Sequence, residues 1–120
     1  MSRLDDQIRT PLGTWTVAVQ LSSGEMAAEL SFRADGTAAL TAERGSSGVG
    51  TWESTGDGRF RYRIEERMSE VDGARSGWVD IDQHAEQDGA AFRSSGTSLV
   101  HDEHGTVVAS AVVKTSAVRA

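Results

Sequence analysis

Arg59-Phe60-Arg61-Tyr62-Arg63-Ile64-Glu65-Glu66-Arg67-Met68 is the stretch that decides the fold. Phe60, Tyr62, Ile64, Glu66 and Met68 alternate without a break with Arg59, Arg61, Arg63, Glu65 and Arg67. Successive side chains of a strand point to opposite faces, so a strict period of two buries the first set and leaves the second in water.

The same rhythm runs outward in both directions. Alternating runs occupy 13–21, 26–34, 37–43, 48–54, 59–68, 77–87, 90–100 and 106–118, separated by Gly and Asp. Trp15, Val17, Val19 and Leu21 share one face, as do Met26, Ala28, Leu30 and Phe32, and Val107, Ala109, Ala111 and Val113. After the lead-in, nothing sustains a helical period. Residues 1–12 carry Leu4 and Ile8 at helical spacing before Pro11, which allows one short helical turn or an extended segment.

Loop lengths set the pairing. A loop at 22–25 places Leu21 opposite Met26, Val17 opposite Leu30 and Trp15 opposite Phe32. Ala34-Asp35-Gly36 as a three-residue loop places Phe32 against Ala38 and Leu30 against Leu40. The next two loops bring Leu40 to Trp52 and Trp52 to Tyr62. An Asp88-Gly89 hairpin aligns Ala85 with Phe92 and Ile81 with Gly96, and a loop over 101–106 aligns Val100 with Val107 and Ser98 with Ala109. A loop over 69–76, centred on Asp72-Gly73, sets Arg63 across from Asp82 and Arg67 across from Trp78 on the outer face. Eight hairpin-linked strands leave two bare edges unless the sheet closes. The expected architecture is therefore all-β: a single eight-stranded antiparallel up-and-down barrel over 13–120, behind the lead-in 1–12.

Composition bounds the function. A chain of 120 residues fits one domain, and a net charge of −6 with 12 basic residues argues against nucleic acid as the main partner. The Arg59, Arg61, Arg63 and Arg67 stripe reads instead as a solvated face balanced by Asp80, Asp82 and Glu86. No 18-residue apolar run spans a membrane, and the opening residues lack the apolar core of a secretory signal. With no cysteine in the chain, the expected location is the cytoplasm. His101-Asp102-Glu103-His104 reads as a polar hairpin tip, because a tight turn splays neighbouring ligands; neither a metal nor a cofactor is expected. Gly45-Ser46-Ser47-Gly48-Val49-Gly50 lacks the Lys and helix of a phosphate loop, and no Gly-X-Ser-X-Gly elbow occurs.

An eight-stranded barrel is just wide enough to be filled by side chains or to hold one small ligand. Ala28, Ala38, Ala42, Gly50, Ala85, Gly96, Ala109 and Ala111 on the inner face are small, which favours a hollow interior. Its expected walls are Trp15, Val17, Leu30, Phe32, Leu40, Trp52, Ile64 and Met68, with Gln83, Ser94, Ser98 and Thr115 as neutral hydrogen-bonding groups. Glu66 is the one acid whose parity points inward, and Tyr62 lies four residues deeper on the same face. These two are the candidates for acid–base chemistry, since burial tunes a carboxyl toward that role.

Leu12-Gly13-Thr14-Trp15, opening the first strand after a short lead-in, resembles the Gly-X-Trp start of lipocalin-like (calycin) barrels. The resemblance implies a tryptophan plugging the closed end, with Phe60 near it. It also implies a mouth formed by the loops at 22–25, 44–47, 69–76 and 102–105, a grouping that strand direction gives independently. Cytoplasmic bacterial barrels of this type, including cofactor-independent cyclases of polyketide biosynthesis, are nearest in size. Two functions follow: a small-molecule-binding barrel for an apolar or amphipathic ligand, or a cyclase or isomerase folding a flexible substrate in the same cavity. The residues leave open whether the molecule is held or changed, and what the oligomeric state is.

Overall fold

The computed structural model describes residues 10–21, 24–43, 45–67 and 77–120. They form β1 (Gly13–Leu21), β2 (Gly24–Phe32), β3 (Thr37–Ala42), β4 (Ser47–Gly56), β5 (Arg59–Arg67), β6 (Trp78–Asp88), β7 (Ala91–His101) and β8 (Val107–Arg119). Each strand pairs antiparallel with the next, and β8 returns to β1, closing an all-β barrel of eight strands.

Five of the expected pairs are present: Phe32 with Ala38, Leu30 with Leu40, Trp52 with Tyr62, Arg63 with Asp82 and Arg67 with Trp78. The other registers differ. Trp15 pairs with Leu30 and Val17 with Ala28, because Leu21 pairs with Gly24 and the loop is shorter than 22–25. Ala85 faces Ser94 and Ile81 faces Ser98, and Val100 faces Ala109 and Ser98 faces Ala111. Leu40 pairs with Gly48, leaving Trp52 beyond the end of β3, where its amide donates to Gly36 O at 2.9 Å. Every slip is by an even number of residues. An odd slip would have turned a whole strand inside out, whereas an even one exchanges apolar partners on the same face.

Two inward glycines have a different use from the one the sequence suggests. A Cβ on Gly50 would stand 1.8 Å from Arg63 O, and one on Gly96 the same distance from Asp82 O. These positions do not widen the interior; they let a neighbouring backbone cross close by where the strongly coiled sheet turns its corner.

One end of the barrel is solid. Trp15, Phe32, Phe60 and Phe92 are each no more than 2% exposed, and Phe32 meets Phe60 at 5.3 Å and Tyr62 at 5.4 Å between ring centroids. Trp15 closes the bottom: its ring lies edge-on to Phe92 at 4.8 Å, its Nε1 donates to Pro11 O at 2.8 Å, and the Arg119 guanidinium covers it at 4.4 Å. Arg119 also donates to Thr10 O and Leu12 O, so residues 10–12 are strapped across this end. The rest of the lead-in, including Leu4 and Ile8, lies outside the described residues.

The outer face of β5 and β6 is polar. Arg61 grips Asp82 through two hydrogen bonds of 2.8 and 2.6 Å, and Arg63 approaches the same carboxylate at 3.7 Å. Arg67 lies 5.1 Å over the Trp78 ring, which stacks on His101 at 4.7 Å. At the β7–β8 turn, Asp102 accepts from the amides of His104 and Thr106, both at 2.9 Å. Those bonds hold the Asp102 carboxyl below its usual range and commit it to the turn. Among the described residues no helix is long and apolar enough to cross a membrane.

The apolar inward run of β8 is not buried throughout. Val113 is 8% exposed, but Ala109 and Ala111 are exposed, because β1 pairs with β8 only from Lys114 to Arg119. Val107, expected on the inner face, pairs with His101 beyond a shift of register at Val108, which turns it to the outer face. The upper part of β8, paired with β7, stands beyond the closed wall.

Candidate functional site

Above the aromatic layer, a cavity of about 410 Å³ opens toward the end where Leu21 and Met26 lie. Were this volume sealed and empty, the cost of about 24 cal/mol per Å³ would reach about 10 kcal/mol, comparable to the whole stability of a small domain. Leu21 at the rim is 36% exposed, so the space communicates with solvent.

Strand parity places the lining. Val17, Leu30, Leu40, Ile64, Gln83 and Ser98, expected on the inner face, all line this cavity, and so do Glu66 and Tyr62. Ser94, which lies beneath the cavity, does not, and neither do three aromatic residues, Trp15, Phe32 and Trp52. The first two belong to the solid end below, and Trp52 packs on Phe32 at 6.2 Å with its Nε1 donating to Arg33 O at 2.7 Å. The aromatic rings are large enough to meet across the barrel and fill it, which removes them from any free surface. Met68 lies outside the described residues. Val19, Met26, Ala28, Val79, Ile81 and Ala111 complete much of the apolar wall.

The floor is polar and internally satisfied. Tyr62 Oη lies 3.0 Å from Ser94 Oγ, Ser94 donates to Gln83 Oε1 at 2.8 Å, and the Thr115 hydroxyl is bonded to the same Ser94 oxygen. Gln83 Nε2 donates to Val113 O at 3.1 Å. Ser94 is thus the hub: its oxygen accepts from Tyr62 and Thr115 while its single proton goes to Gln83. A serine hydroxyl holds one proton and two lone pairs, so this assignment saturates it. Remaining for an occupant are one amide hydrogen of Gln83 and lone pairs on the Tyr62 and Thr115 oxygens. Burial pushes the Tyr62 pKa up despite the Ser94 and Thr115 hydrogen bonds, so its hydroxyl stays neutral at physiological pH.

Glu66 stands nearer the rim, 8% exposed, and accepts a 2.6 Å hydrogen bond from the Ser46 hydroxyl. Among the described residues it is the only ionisable carboxylate along the wall, and no Lys or Arg lines the cavity. Ser46 was not singled out from the sequence, because it sits in the loop before β4. Its parity with Gly48 and Gly50 was the available signal.

No protein-family model matches the chain, and neither the curated proteins nor the solved structures contain a significant match.

Proposed function

We propose that this chain is a lipocalin-like binding barrel that holds a small, largely apolar, uncharged molecule, with one polar group seated on the Gln83–Tyr62–Thr115 floor. The observation that carries this reading is the coexistence of an open apolar space of about 410 Å³ with a floor whose hydrogen bonds are satisfied except for a few aimed inward. Ligand cavities have this composition: apolar walls and a small number of placed polar groups. Among the described residues a carboxylate ligand such as a fatty acid finds no cation along the wall and meets Glu66 at the rim, so neutral molecules are favoured. The chain's lack of cysteine suits a cytoplasmic setting.

Catalysis by a cyclase or isomerase in the same cavity has weaker support. Tyr62 is held neutral and tied to Ser94, and Glu66 is already engaged by Ser46.

The test is titration with the uncharged fluorophore N-phenyl-1-naphthylamine, wild type against Leu30→Trp. Saturable one-to-one binding is expected, weakened at least about tenfold (about 1.4 kcal/mol) by the tryptophan that fills the space. No saturable binding, or unchanged affinity in Leu30→Trp, refutes the reading.

A further inference from the structure

β8 outruns the strand it should pair with. β1 turns back after Leu21, so residues 107–112 of β8 have β7 on one side and no described strand on the other. At about 3.3 Å per residue this leaves a bare edge of roughly 20 Å.

The direction of the free backbone groups follows from the pairing. Ala120 donates its amide to Thr14 O on the β1 side, and Arg119 donates to Ala90 O on the opposite side. Residues of one parity in a strand turn both N–H and C=O to the same edge. Ser110 and Val112 share the parity of Ala120, and the β7–β8 register is regular between them and Arg119. Their amides and carbonyls therefore face the open edge.

The edge is lightly protected. Natural edge strands are blunted by Lys, Pro, inward charges or bulges. Val107-Val108-Ala109-Ser110-Ala111-Val112-Val113 contains no Lys, Pro or charge, and its one irregularity is a shift of register at Val108, beside the β7–β8 turn. Val108 is 60% and Val112 76% exposed. The segment is also a palindrome centred on Ser110.

We propose that two copies of this chain associate by antiparallel pairing of their β8 edges about a two-fold axis through Ser110. In that register Ser110 exchanges both backbone hydrogen bonds with Ser110 of the partner subunit, and the Val112 side chain lies beside Val108 of the partner subunit, where the shift of register at Val108 ends the regular pairing. Alanines at 109 and 111 face one another on the side that continues the cavity wall. The palindrome favours this occupant: about a two-fold axis through Ser110 it sets valine beside valine and alanine beside alanine. The dimer joins β6, β7 and β8 of each copy into one continuous sheet. It is independent of what the cavity binds.

Disulfide trapping reads the register directly, because the chain has no cysteine of its own. Directly opposed residues of a hydrogen-bonded antiparallel pair have Cα atoms about 5.5 Å apart, inside the disulfide range. Under mild oxidation Ser110→Cys is expected to cross-link at least about ten times faster than Val49→Cys, a control at an equally open valine far from β8. By sedimentation equilibrium the wild type is expected to be a dimer. Ser110→Lys, which sets two ammonium groups face to face, is expected to raise the dissociation constant at least about tenfold, while Val49→Lys leaves it unchanged. Should Ser110→Lys fail to fold, Val112→Lys tests the same contact. The proposal is overturned by a wild type that stays at 12.8 kDa at high concentration. It is equally overturned by cross-linking no faster than the control, or by lysine variants that dimerise as the wild type does.

Discussion

The lower and upper halves of this barrel share one alternation of side chains and differ in what that alternation delivers. Below, Trp15, Phe32, Phe60 and Phe92 converge, and the rings fill the bore. Above, Ala28, Val17, Leu40, Ile64 and Ala111 stop short of one another and leave space. The difference is one of side-chain reach within one backbone design, and it separates stability from function: the aromatic end holds the fold, and the aliphatic end is free to bind.

Substitutions should expose that division. Trp15→Ala removes a fully buried ring and is expected to cost about 3–5 kcal/mol in urea unfolding. Leu40→Ala, bordering existing space, is expected to cost less than about 2 kcal/mol and to enlarge the cavity. Equal losses at the two sites would break the comparison. Gly50→Ala brings a methyl against the Arg63 carbonyl and is expected to lower stability by about 1–3 kcal/mol, measured the same way, without touching the cavity wall.

The boundary between the halves is the Ser94 network. Ser94→Ala strips Gln83 Oε1 of its donor and Tyr62 and Thr115 of their shared acceptor. A loss of about 1–3 kcal/mol is expected in thermal or urea unfolding, together with weaker probe binding as the floor loosens. A variant that binds as the wild type does would place the ligand's polar contact elsewhere.

The smallest effect belongs to the outer face. Arg61→Ala is expected to lower the melting temperature only slightly at neutral pH, since ion pairs near the surface contribute little. The Arg61 guanidinium holds the Asp82 carboxyl below its ordinary value. A carboxyl depressed in the folded state stabilises above its unfolded pKa of about 3.9 and loses that contribution as pH falls through the folded value. The gap in melting temperature between wild type and Arg61→Ala should therefore be present at pH 6, begin to narrow only below about pH 3.9, and close once pH has passed below the folded value. A gap that stays constant as pH falls from 6 into that acid range would show that Arg61 acts through packing of its stem instead.

Much of this was legible along the chain. The parity of Phe60, Tyr62, Ile64 and Glu66 could be read without a structure, because burying one face penalises any odd slip of a strand. The pairing of Arg63 and Arg67 with Asp82 and Trp78 followed from the same count. Even slips were not legible: exchanging Phe32 for Leu30 opposite Trp15 keeps apolar against apolar, so composition is indifferent to it and the turn decides. Nor was it legible which rings meet across the bore, so Trp15, Phe32 and Trp52 were expected on the cavity wall and stand apart from it.

Sequence alone determined which side of each strand faces inward, Val107 beyond the shift in β8 excepted, that the sheet must close, and that Glu66 would be the acid on the inner face. Only the tertiary structure decided how deep the solid layer reaches, which hydroxyls meet around Ser94, and that β8 runs past the end of β1. Alternation is a local property set by each strand's own residues. Depth, convergence and overhang depend on strands about a hundred residues apart, such as β1 and β8, whose relative length and stagger are fixed only when the barrel closes.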